Sequence, residues 1–209
     1  MLETIEINCH SSIKIKSNKI IYIDPFRIKE HYEDANFIFI THNHYDHFSP
    51  EDIKKVKNKD TTIIITEDLY TNVLKLGFNV GDIVIVKPNE IYKVMNLEFK
   101  TVSAYNINKS FHPEENEWVG YVININNVKY YIAGDTDRTK ENRKVKCDVA
   151  LVPIGGTYTM NSAEAAEFVN EIKPKIAIPT HYGEIVGTKQ DAENFKKLVS
   201  KEIECRIII

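Results

Sequence analysis

Apolar and polar residues alternate through Thr4-Ile5-Glu6-Ile7 and again through Ile13-Lys14-Ile15-Lys16, and Ser17-Asn18-Lys19 separates the second run from Ile20-Ile21-Tyr22-Ile23. A period of two predicts a meander of short strands. The apolar run Phe37-Ile38-Phe39-Ile40 predicts a further strand, and Pro50 to Val56 predicts a short helix with Ser49 as its N-cap and proline at its first position. Thr61 to Thr66 reads as a strand, Leu69 to Leu76 as a helix ended by Gly77, and Ile83 to Val86 as another strand. A second antiparallel stretch follows over Ile91 to Val94, Leu97 to Ala104, Trp118 to Ile125 and Val128 to Ala133, with Asn126-Asn127 as a tight turn. Strand and helix then alternate: strand Val149 to Val152, helix Ser162 to Ile172 with Ser162 as a cap, strand Lys175 to Pro179, helix Asp191 to Ser200 and strand Cys205 to Ile209. Two halves, each with a mixed sheet and helices, predict an α/β fold: an αββα four-layer sandwich of two mixed β-sheets flanked by helices.

Composition narrows the class without choosing a function. At 209 residues, 43% hydrophobic and 27% charged, the chain predicts one domain over 1–209, with no repeat, low-complexity segment or linker. A net charge of -3 and a pI near 6.2 give no global basic field for nucleic acid or an anionic membrane. No charged-then-apolar leader and no apolar run near the length of a membrane span is present, so a cytoplasmic protein is expected. Cys9, Cys147 and Cys205 lack C-x-x-C spacing, which argues against a disulfide framework or a thiolate metal site.

The chemistry is concentrated in Thr41-His42-Asn43-His44-Tyr45-Asp46-His47, where three imidazoles and one carboxylate follow an apolar strand. Those ligand types hold zinc or a similar metal, and a loop at a strand end can fold them around one centre. Two later strand ends offer more donors: Asp135 after Ala133-Gly134, placed to bridge two ions, and His181 after Pro179-Thr180. Alone, either residue reads as an ordinary loop residue; beside the His42 cluster each becomes a candidate ligand.

In these motifs and in their order, with Ile23-Asp24 early, the chain resembles the metallo-β-lactamase superfamily over nearly its whole length. The segments Cys9-His10-Ser11-Ser12, Ile23-Asp24-Pro25 and Pro153 to Met160 resemble, more closely, the small metal-dependent hydrolases grouped around L-ascorbate-6-phosphate lactonase. The resemblance implies two divalent metal ions: His42 and His44 on the first, Asp46, His47 and His181 on the second, Asp135 bridging both, and Asp24 orienting a ligand imidazole. Zinc is the default metal and manganese is what the closer resemblance suggests; iron and nickel suit the same donors. The chain departs from the family at the third histidine of the first metal, where Asn106 stands after the strand. His112, a few residues later, is either the displaced ligand or a substrate-facing or exposed loop residue. His10 is either a pocket residue or a structural histidine, and His31 reads as surface.

Two cations in such a site would lower the pKa of a bridging water, so that the resulting hydroxide attacks a carbonyl or phosphoryl centre, with Asp46 or a nearby acid moving the proton. The expected substrate is a small anionic ester, lactone or phosphodiester. His10, Asn106, Tyr158 and Tyr182 are candidate substrate contacts, and Lys109, Arg138 and Lys140 are candidate anion contacts that also read as solvated. A Cys9 nucleophile beside His10 is disfavoured because neighbours on a strand face opposite ways. The rival readings are a non-catalytic metal- or ligand-binding module and a nucleic-acid phosphodiesterase. The second is disfavoured by the absence of a basic surface or a gripping domain. Exposed edge strands such as Ile91 to Val94 leave a homo-oligomer open.

Overall fold

The computed structural model describes residues 4–208 and divides into two compact units, Met1–Lys87 and Pro88–Ile209. The first unit is a mixed six-stranded sheet in spatial order β1 (Thr4–Cys9), β2 (Ser12–Lys16), β3 (Ile20–Ile23), β4 (Phe37–Phe39), β5 (Thr62–Thr66) and β6 (Ile83–Val86). β1, β2 and β3 pair antiparallel, whereas β3 to β6 are parallel. Strands β4 and β5 are buried at every position, which is why they read as continuous apolar runs rather than alternating ones. Helix α1 (Pro50–Val56) and the shorter α2 (Tyr70–Leu74) cover one face, where Ile53, Val56 and Val73 pack with Tyr22, Ile38, Ile63 and Ile65. Ser49 caps α1 and accepts from the Asp52 amide.

The second unit repeats that plan with one more strand. Its sheet runs β7 (Ile91–Val94), β8 (Leu97–Ser103), β9 (Val119–Ile125), β10 (Val128–Ile132), β11 (Val149–Pro153), β12 (Ile176–Thr180) and β13 (Glu204–Cys205). Antiparallel pairing from β7 to β10 gives way to parallel pairing from β10 to β13. Helices α3 (Ser162–Ile172) and α4 (Lys189–Leu198) cover one face, with Ala165, Phe168, Val169 and Phe195 packed against Tyr131, Ala150, Val152 and Ala177. Most predicted strands and helices are present within a residue or two at their ends. Two local expectations are corrected. Asn161, not Ser162, caps α3, because its side chain accepts from the amides of Ala163 and Glu164 while the Glu164 carboxylate accepts from the Asn161 amide. The last strand is only Glu204–Cys205, since only two residues find partners on β12; Ile209 lies outside the described residues. None of the described helices is long and apolar enough to cross a membrane.

The topology sets where chemistry can gather. In the first unit β1, β3 and β4 run in one direction, so their carboxyl ends lie at one edge of that sheet. In the second unit the same holds for β8, β10, β11 and β12. The carboxyl edge of parallel strands is where open α/β sheets place their ligand sites.

Candidate functional site

In the first unit three such strand ends converge. β1 delivers His10, β3 delivers Asp24, and β4 delivers the loop from Thr41 to His47. His10 and Asp24 take left-handed backbone angles, φ 52° and 47°, at the turns leaving their strands. That conformation costs a non-glycine residue about 1–3 kcal/mol.

Asp24 is the hub. It is 1% exposed, accepts from the Thr41 amide at 2.8 Å and from the Thr41 hydroxyl at 2.7 Å, and stands 2.7 Å from His47 Nδ1. Burial pushes its carboxyl up, and the contacts from His47 and Thr41 act against that. A carboxylate accepts, so His47 carries its proton on Nδ1 and keeps a lone pair on Nε2. The Thr41 hydroxyl gives its proton to Asp24, so its oxygen accepts from His42 Nδ1 at 2.9 Å, which leaves His42 Nε2 with a lone pair as well. Those nitrogens look onto other donors: His42 Nε2 lies 3.1 Å from His44 Nδ1, and His47 Nε2 lies 3.6 Å from Asp46 Oδ2. His10 is fully buried with Nε2 3.3 Å from the same Asp46 oxygen. Two donors each about 2.0–2.1 Å from one tetrahedral zinc ion stand about 3.3 Å apart. Nitrogen and carboxylate donors at these separations fit a divalent ion.

In the second unit the donors come from three loops. Asp135 follows β10 through Gly134, whose φ of 66° turns the chain where a side chain would be strained. Its Oδ2 lies 3.3 Å from His112 Nε2 and 3.0 Å from His181 Nε2, and the three residues are at most 3% exposed. His181 leaves β12 at φ 59° against Gly155, where a β-carbon would stand 2.5 Å from the His181 carbonyl oxygen. Gly155 therefore lets the 155–160 loop lie on His181.

Asn106 holds His112. Its Oδ1 accepts from the His112 amide at 3.1 Å and lies 3.0 Å from His112 Nδ1, while its Nδ2 donates to the Tyr158 carbonyl at 2.9 Å. Trp118 packs edge-on to the His112 ring at 5.6 Å. Sequence reading missed the parts played by Thr41 and Trp118. Thr41 had a signal, because it directly precedes the first histidine; Trp118 had none, because contact with His112 depends on a loop closing.

The other candidates are placed as follows. Tyr158 is half-buried and its ring meets Phe111 edge-on at 4.7 Å. Tyr182 is fully buried in the core with Phe195, and burial raises the pKa of its phenol. Lys109 is tied to Asp137 at 2.6 Å, Arg138 to Glu167 at 3.2 Å and Glu171 at 2.9 Å, and Lys140 is largely exposed beside Glu114 and Glu141. His31 is exposed. Burial pushes the Cys147 thiol up to about 12 and the Cys205 thiol to about 11, so neither is a thiolate near neutrality.

Comparison with known proteins agrees with this donor chemistry. Residues 4–181 match the family described as "Beta-lactamase superfamily domain". A UPF0173 metal-dependent hydrolase of Methanosphaera stadtmanae is 33% identical, with 95% of this chain and 92% of that protein covered. Among solved structures, one from Parabacteroides distasonis superposes with a TM-score of 0.80 at 28% identity, covering 98% of this chain and 92% of the other. Igni18, a metallo hydrolase of Ignicoccus hospitalis, shares the fold at a TM-score of 0.77 and 20% identity, with 97% and 93% covered. With its two mixed sheets, flanking helices and buried His/Asp donor sets, the chain belongs to the metal-dependent hydrolases of the metallo-β-lactamase superfamily.

Proposed function

We propose that the buried His/Asp donors of each unit hold divalent ions, zinc or manganese, and that the chain hydrolyses an ester, lactone or phosphodiester of a small anionic substrate. The observation that carries this reading is the spacing of the donors. Four donor pairs, from His42–His44 to His181–Asp135, lie 3.0–3.6 Å apart, the separation of neighbours in one coordination shell. In this reading His42, His44, Asp46 and His47 would bind metal in the first unit, and His112, Asp135 and His181 would do so in the second. Bound divalent ions supply Lewis acidity, lowering the pKa of water and polarising the bond it attacks.

The protein's own residues do the rest. Asp24 and Thr41 fix the tautomers of His47 and His42, so that no proton must leave Nε2 before an ion binds. His10, buried against Asp46, orients that carboxylate, and Asp46 is the acceptor through which a proton leaves the attacking water. No thiol or hydroxyl nucleophile is required.

The test is hydrolysis of a lactone, a phosphodiester and a thioester by metal-loaded protein, with Asp135→Ala as control. Turnover of a lactone or phosphodiester that is lost in Asp135→Ala supports the reading. Stoichiometric metal binding with no turnover on any panel member overturns it in favour of a binding module.

A further inference from the structure

We infer that Asn106, at the position where the resembling family carries a histidine ligand, is the residue that makes His112 a ligand: it sets the imidazole tautomer and fixes the ring. This rests on the reading of His112 as a metal donor. The orientation of the Asn106 amide follows from partners whose polarity is unambiguous. Nδ2 faces the Tyr158 carbonyl, which only accepts, and Oδ1 faces the His112 amide N–H, which only donates. Oδ1 is therefore also what faces His112 Nδ1 at 3.0 Å. An amide oxygen cannot donate, so His112 is protonated on Nδ1 and presents the Nε2 lone pair toward the Asp135 side.

The same residue closes the loop that brings His112 back from the strand end. The Asn106 amide N–H donates to the His112 carbonyl at 2.8 Å, so the two residues clasp backbone to backbone across the intervening segment. Asp137 pins that segment from outside: its carboxylate accepts from the Ile107 amide at 3.0 Å and from Lys109 Nζ at 2.6 Å, and Lys109 also donates to the Thr159 carbonyl at 2.9 Å. A histidine several residues beyond the strand is thereby returned to the strand end. Asn106 does for His112 what Asp24 does for His47, with a neutral acceptor in place of a charged one.

The experiment reads the tautomer directly, by 15N chemical shifts of the histidine ring nitrogens in metal-free protein, with His112 assigned by its loss in His112→Ala. Wild type is expected to show the Nδ1–H form, as is Asn106→Asp, which keeps the acceptor; Asn106→Ala is expected to lose that preference. Zinc competition titration is expected to show one ion bound about 10–100-fold more weakly in Asn106→Ala, with the other unchanged. The double variant Asn106→Ala/His112→Ala is expected to bind no more weakly than His112→Ala alone, because Asn106 acts only through His112. An Nε2–H form in wild type, or additive losses in the double variant, overturns the inference. Wild type that binds no metal but shows Nδ1–H overturns the metal reading instead.

Discussion

The two units supply their donors in opposite ways. The first places four of them in the six residues from His42 to His47, and its outliers, His10 and Asp24, sit at the ends of β1 and β3 of the same sheet. The second draws His112, Asp135 and His181 from three loops spread over much of its sequence. A compact motif is held mainly by its own backbone and one carboxylate hub. A dispersed set depends on the sheet placing three strand ends at one edge and on loop clasps such as Asn106–His112. The first unit's donors should therefore fail by loss of a ligand, and the second unit's by loss of a scaffold contact as well.

That contrast can be broken most directly by removing one ligand from each unit. His42→Ala and His181→Ala are each expected to lower turnover by more than about 100-fold, beyond what loss of an orienting partner costs. If only His42→Ala does so, measured as kcat/KM on the responsive substrate, the compact loop works alone. Next in size is the hub: Asp24→Asn is expected to weaken metal binding about 10–100-fold by competition titration while the fold persists by circular dichroism. Gly155→Ala then tests the scaffold dependence of the second unit. A β-carbon 2.5 Å from a backbone oxygen must displace the His181 loop, with an expected loss of about 1–3 kcal/mol in denaturant unfolding and an accompanying loss of metal affinity. Smallest is the α3 cap: Asn161→Ala is expected to cost about 1 kcal/mol and Ser162→Ala much less, read as shifts in Tm.

A pH series sharpens the view of the first unit away from its donors. Burial pushes the Asp52 carboxyl up, but bonds from Ser49, Lys55 and the amides of Arg27 and Ile28 outweigh it and hold its pKa below the ordinary 3.8. A depressed native pKa contributes stability above the unfolded value that disappears as pH falls through the native one. Wild type is thus expected to exceed Asp52→Asn in stability by a constant margin at neutral pH, with the margin shrinking below about pH 4 in urea titrations.

How much was legible in the sequence follows the same contrast. Local patterns carried the sheets, because β4, β5, β11 and β12 are buried throughout and announce themselves as apolar runs. The His42–His47 cluster was legible for the same reason: its residues are neighbours in sequence as well as in space. Asp135 and His181 were legible only as strand-end residues of the right type. Asn106 could be seen to depart from a pattern, but not to hold the histidine six positions later, since that contact exists only once the loop closes. The cap of α3 was misplaced by one residue because Asn161 and Ser162 are both good caps and only backbone geometry separates them.

The measurement that tests the metal reading of both donor sets most directly is bound metal per chain in wild type and in Asp135→Ala, by elemental analysis after reconstitution with zinc and removal of loosely held ions. About two ions per wild-type chain and clearly fewer in the variant are predicted, because Asp135 stands 3.3 Å from His112 and 3.0 Å from His181 and its loss breaks the second unit's donor set. Equal metal content in the two proteins would contradict the account and leave the His42–His47 loop holding its metal without the second unit.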